Sequence, residues 1–193
     1  ASQIITALQD IVLPENVRVI LTGPGQALSA QIYISLMCGV IISIPLILWE
    51  LTGFIKPGLY KNEIKLLRNL LVPASLLFFI GAVFALYIMV PMTMEFMYKY
   101  GVSLQAETYI TIDVFVAFIT FFILAFGIAF QLPIIMWLTT RFGFISSTFW
   151  RDNWRYTLVL LVAIGAIITP DASGITMWLI TIPMMLLYFV GYV

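Results

Sequence analysis

Charged residues occupy only a few short stretches of this chain, and between them lie five uncharged, mostly apolar runs at 30–49, 70–92, 114–140, 156–170 and 172–193. A hydrocarbon core of about 30 Å takes about 20 apolar residues of helix, and every run except 156–170 reaches that length. That shorter run gives only about 22 Å of helix at about 1.5 Å per residue. Inside a bilayer every backbone N–H and C=O must be bonded within the protein, so such segments cross as helices or as a closed barrel. Barrel strands alternate apolar and polar positions, whereas these runs are continuous. The pattern predicts an all-α, polytopic membrane helix bundle with five transmembrane helices, the last two short, in a single membrane domain over 1–193.

Composition changes the picture little: 63% of residues are hydrophobic and 9% charged, with a mean hydropathy of +1.11, against about 25% charged in a soluble domain. The formal net charge of zero excludes a bulk attraction for nucleic acid. The placement of charge says more. Lys56, Lys61, Lys65 and Arg68 fall in the gap 50–69, and Arg141, Arg151 and Arg155 in the gap 141–155, which is seven of the nine basic residues. The positive-inside rule assigns both gaps to the cytoplasm. Residue 1 is then outside and Val193 cytoplasmic, as in a multi-pass protein of a cell (plasma or inner) membrane. Residues 1–15 carry neither a basic region nor a cleavable signal, so a further helix, running from inside to outside, is expected upstream of residue 1.

The chemistry of an enzyme is missing. There is no histidine and one cysteine, Cys38, in the middle of the first run, so a metal site or a disulfide is not expected. Ser173 before Gly174 has no base beside it, and no phosphate-binding loop occurs. The expectation is a protein that is not an enzyme and that uses no cofactor and no metal.

Outside the spans, residues 1–29 read as an external cap: a short amphipathic helix around Ser2 to Leu13, a strand-like Val17 to Leu21, and a turn at Gly23-Pro24-Gly25. The external segment 93–113 begins as a continuation of the preceding helix, and Thr111-Ile112-Asp113 offers a cap to the next. Prolines occur in every span. Pro45, Pro133 and Pro183 lie well inside, where each frees the carbonyl four residues earlier. Gln131 is the most polar side chain deep in any span, suited either to a bond within this chain or to a docking point for another helix.

Three stretches carry a resemblance. Phe54-Ile55-Lys56-Pro57-Gly58-Leu59-Tyr60-Lys61-Asn62-Glu63 resembles the first-loop signature of the TatC family, the signal-peptide receptor of the twin-arginine protein translocase. Phe126-Gly127-Ile128-Ala129-Phe130-Gln131-Leu132-Pro133 is similar to that family's fourth-helix motif, with Gln131 where many members carry an acid. Ile168-Thr169-Pro170-Asp171 is similar to the tip joining its last two, short helices. The motifs stand in the family's order from about residue 25 to the end. The family has six helices and an acidic amino-terminal cytoplasmic segment, and this chain corresponds to the last five helices.

The resemblance implies a receptor for twin-arginine signal peptides that supports transport of folded proteins, driven by the proton-motive force. Its partners would be the signal peptides of cargo proteins, single-helix membrane subunits of the TatA and TatB type and the lipid bilayer, with self-association possible and no nucleic acid. Two guanidinium groups call for carboxylates, which bind arginine through paired charge-assisted hydrogen bonds that lysine does not copy. Glu63 is the implied partner, with Phe54, Leu59 and Tyr60 as apolar walls and Pro57 and Gly58 shaping the loop. Gln131, Phe130 and Pro133 are implied to dock a partner helix. Pro170 and Asp171 form the tip, where Asp171 is suited to cap the last helix. On the residues alone, Glu63 merely offsets Lys61, Lys65 and Arg68. An alternative, a secondary-transporter subunit binding a small solute at mid-membrane, accounts for the prolines and Gln131 but not for the loop signature.

Overall fold

The computed structural model describes residues 2–13, 18–58, 61–103, 109–168 and 174–192. In chain order the elements are α1 (Ser2–Val12), β1 (Arg18–Ile20), α2 (Gln26–Ile55), α3 (Lys61–Asn69), α4 (Leu71–Phe84), α5 (Val90–Ser103), β2 (Tyr109–Thr111), α6 (Ile112–Ala129), α7 (Leu132–Arg141), α8 (Ser147–Asp152), α9 (Trp154–Ile168) and α10 (Ile175–Tyr192). Among the described residues three helical stretches are long and apolar enough to cross a membrane: Pro24–Gly58, Glu63–Ser103 and Ile112–Arg141. The helices α9 and α10 are apolar and shorter. Large apolar side chains stand open along the spans, Ile42, Val72, Ile128 and Ile167 among them. Apolar surface on that scale is compatible with lipid and not with water.

The residues group into two compact units, Ala1–Ile41 with Ala82–Phe126, and Ile42–Gly81 with Gly127–Val193. In the first unit α1 packs against α5 and the turn before it, burying Leu8 and Val12. The strands β1 and β2 pair in parallel, Arg18 opposite Tyr109 and Ile20 opposite Thr111. The strand expected near 17–21 thus has an unforeseen partner, a three-residue pairing within an otherwise all-α fold. The buried rings of Phe122 and Phe126 lie 6.2 Å apart, with Phe84 5.7 Å from Phe126.

Before α5, residues Ala85–Met89 form a π-helical turn in which the Val90 N–H bonds back to Ala85 O. Pro91 has no N–H, and its ring would collide with the carbonyl four residues earlier. The wider turn opens the helix just ahead of it. Of the stretch Thr111-Ile112-Asp113, expected to cap the next helix, Thr111 ends β2 and Asp113 follows the helix start. That residue is in the first turn of α6, with its Oδ1 buried and lacking a hydrogen-bond partner.

In the second unit α10 packs along α9 and α7. Two glycines set the approach. A β-carbon on Gly165 would stand 2.6 Å from Thr181 Oγ1, and one on Gly191 would stand 2.7 Å from Pro133 Cα. The buried Tyr188 hydroxyl of α10 donates to the Trp150 carbonyl. The helix α8 is capped by Ser146, whose Oγ accepts from the Phe149 N–H at 3.2 Å.

Charge alone reads 50–69 and 141–155 as loops, and the structure corrects both. The helix α2 runs on to Ile55, α3 follows, and α8 fills part of the second gap. Ile64 and Leu67 stand at helical spacing, and Leu67 is buried, so α3 is an amphipathic helix with Lys65 and Arg68 turned outward. Within the stretch Ile112–Arg141 the helix steps at one corner: α6 ends at Ala129, and Pro133 sits in the first turn of α7, where a missing N–H costs nothing.

Candidate recognition site

The corner between α2 and α3 is made by residues that stop one helix and start another. The Thr52 hydroxyl donates to Trp49 O at 2.7 Å in the last turns of α2, and Lys56–Gly58 form a 3-10 turn. Pro57 cannot donate to a continuing helix. Glu63 then falls in the first turn of α3 and Arg68 in its last, each at the end of the helix dipole that favours its charge. Phe54, on the last turn of α2, is 85% exposed. The structure thus sets Phe54 and Glu63 on either side of one turn. Leu59 and Tyr60, the other expected walls, lie outside the described residues, as do Pro170 and Asp171 at the tip. The last helix itself begins at Ile175, after Gly174 in the left-handed region at φ 70°.

On the other face of α3 is a groove of about 840 Å³. Its apolar wall is Pro45 of α2 with Leu71, Val72 and Leu76 of α4, and its polar rim holds Lys65, Arg68, Asn69 and Ser75. Trp49 also lines it, with the Arg68 guanidinium 5.5 Å and the Lys56 ammonium 5.8 Å from its rings, a cation–π arrangement. Successive helix residues turn by about 100°, so Glu63 and Lys65 point about 200° apart and Glu63 does not line the groove. Sequence reasoning passed over Trp49. The signal was present: an aromatic residue at a span's end beside basic residues.

Gln131 occupies the corner between α6 and α7. Its backbone N–H bonds to Ile128 O at 2.9 Å, three residues back, which leaves Gly127 O without the usual fourth-residue donor. The Gln131 side-chain amide turns to that carbonyl at 3.4 Å and to Ala74 O of α4 at 3.2 Å. Gly127 permits the approach, because a β-carbon there would meet the Phe78 ring at 2.5 Å. Of the residues expected to dock a partner helix, Gln131 therefore bonds inward and Phe130 is 9% exposed. Pro133 lines a cleft of about 270 Å³ with Leu70, Ile134, Trp137, Val190 and Gly191. No group of three or more metal-ligating side chains is found among the described residues.

A family model described as Sec-independent protein translocase protein (TatC) matches residues 1–183. The chain is 43% identical over 191 residues to the Sec-independent protein translocase protein TatC of Cenarchaeum symbiosum (strain A), covering 99% of this chain and 72% of that one. It is 37% identical to the TatC of Aquifex aeolicus (strain VF5), covering 90% and 72%. A crystal structure of the twin arginine translocase receptor TatC superposes with a TM-score of 0.86 at 34% identity, covering 99% of this chain and 84% of that one.

Proposed function

The chain belongs to the TatC family of Sec-independent protein translocase proteins, and from that premise we propose that it is the receptor subunit that recognises twin-arginine signal peptides. It is a multi-pass membrane protein. The observation that carries the reading is the α2–α3 corner. A family signature ends there on Glu63, in the first turn of a helix whose start faces away from the basic groove, with the open ring of Phe54 across the turn. The carboxylate takes a signal arginine as a paired, charge-assisted hydrogen bond, and Phe54, Leu59 and Tyr60 meet the apolar residues that follow the arginines. Pro57 and Gly58 hold the turn. The corner faces the cytoplasm of a cell membrane, in line with the seven basic residues of the two gaps.

Single-helix subunits of the TatA and TatB type dock beside α7 at the cleft that Pro133 lines, with Gln131 and Phe130 holding the corner from within. No catalytic step is assigned to the chain, and transport draws on the proton-motive force. The small-solute reading loses its main support, since Gln131 is engaged by Ala74 and Gly127 rather than turned into a cavity.

The test is site-specific photo-crosslinking from position 63 to signal peptides carrying Arg-Arg or Lys-Lys, with the protein in its membrane. Crosslinks to Arg-Arg alone support the receptor; equal labelling of both peptides, or none, refutes it.

A further inference from the structure

The groove behind α3 is built of two chemistries that a signal peptide does not combine. Its rim carries Lys65 and Arg68, and no acidic residue lines it. Both cations are exposed, and at a spacing of three on one helix their β-carbons stand about 5–6 Å apart. One anionic oxygen cluster fits between them. A twin-arginine segment would be repelled by the same pair.

Below the rim the wall is apolar apart from Ser75. Pro45 to Trp49 on α2 and Leu71 to Leu76 on α4 each extend about 6–8 Å along their helices, and Val72 and Leu76 are open by 67% and 57%. Trp49 stands at the join, its ring beneath the Arg68 guanidinium. An aromatic ring at this height belongs to the headgroup level of a bilayer, and basic side chains at helix ends send their cations to the same level. The Ser75 hydroxyl already gives its proton to Leu71 O at 2.8 Å, so the charge recognition falls to the two cations.

We propose that this groove holds one anionic phospholipid, the phosphate between Lys65 and Arg68 and the start of an acyl chain along Pro45, Val72 and Leu76. Basic pockets between membrane helices favour anionic headgroups for this reason. The occupant is set by the charge of the rim together with the apolar wall. A free phosphate would use the rim alone, and a neutral lipid the wall alone.

The test uses the purified chain in detergent, titrated with dioleoyl phosphatidylglycerol or dioleoyl phosphatidylcholine and read as bound lipid by native mass spectrometry. One phosphatidylglycerol is expected to be retained far more tightly than phosphatidylcholine. In the double variant K65Q/R68Q, whose two positions are exposed, that affinity falls about thirtyfold, since each basic side chain near an anionic headgroup contributes about fivefold. Val72→Trp, which fills the wall and spares both cations, also weakens retention. R151Q/R155Q, in the other basic gap, leaves the tight lipid in place.

Retention unchanged in K65Q/R68Q, or lost equally in R151Q/R155Q, overturns the proposal. Displacement by inorganic phosphate at matched ionic strength would reduce the site to a phosphate site. Displacement by a twin-arginine peptide would make it part of the signal site. Either result overturns the lipid assignment without touching the test at position 63.

Discussion

Gln131 donates its side-chain amide to the backbone carbonyl of Ala74 at 3.2 Å, one helical turn from the place where Gly127 meets Phe78. The two contacts fix the register of α4 against the end of α6: a small residue lets a ring in, and an amide bonds the carbonyl one turn away. Gln131→Leu removes the bond and keeps the bulk. It is expected to destabilise the protein by about 1 kcal/mol, the scale of a polar contact between membrane helices. Gln131→Glu, ionised, cannot donate and is expected to cost more. Thermal unfolding in detergent measures both, and an unchanged midpoint in each would show the bond to be incidental.

The helices α9 and α10 meet at Gly165. An alanine there is expected to destabilise by about 1–3 kcal/mol, as overpacking does, because its β-carbon would press on Thr181 Oγ1 and on the Met177 carbonyl. Thr181→Ala removes the first obstacle. The pair Gly165→Ala with Thr181→Ala should therefore lose less stability than the sum of the single changes, a coupling that a double-mutant cycle reads directly.

At position 63 stability and binding should part. A carboxylate in the first turn of a helix contributes only about 0.3–1 kcal/mol, so Glu63→Ala is expected to shift unfolding slightly while abolishing signal-peptide binding. Glu63→Asp should weaken binding without abolishing it. Calorimetry of binding beside thermal unfolding of the same preparations separates the outcomes. Equal small losses in both would reduce Glu63 to a helix-end charge.

Phe54 is expected to behave likewise from the apolar side. Its ring, 85% exposed, contributes little to folding, so Phe54→Ala should leave the unfolding midpoint in place and lower affinity for a signal peptide several-fold. A variant peptide with a polar residue in place of its apolar stretch should show no further loss.

The spans were legible because a run of uncharged residues has one solution in lipid, and the short hairpin because length is counted directly. The helix α3 was hidden. Its three basic residues mark a gap, while Ile64 and Leu67, the positions that make it a helix, are few and flanked by charge. The corner after Ala129 was also hidden: Pro133 suits the first turn of a new helix as well as the middle of a curved one, and only the Ile128 bond to the Gln131 N–H decides. Gln131 was seen as a polar spot, but its partner, a backbone carbonyl 57 residues away, carries no side-chain signature. Glu63, Phe54 and their neighbours came from a motif. Trp49 and Arg68 belonged to none, and their pairing needed coordinates.

The parallel pairing of β1 with β2 also dictates an order of events. Arg18 and its partner Tyr109 are separated in sequence by two of the long membrane stretches, Pro24–Gly58 and Glu63–Ser103. At about 5–20 residues per second of synthesis, β1 waits on the order of several seconds before its partner exists. All of α2 to α5 lies between the two strands, and closing so long a loop becomes cheap only once those helices bring its ends together. The strand pair is thus a late latch, formed after insertion rather than guiding it, and during synthesis β1 remains an open edge.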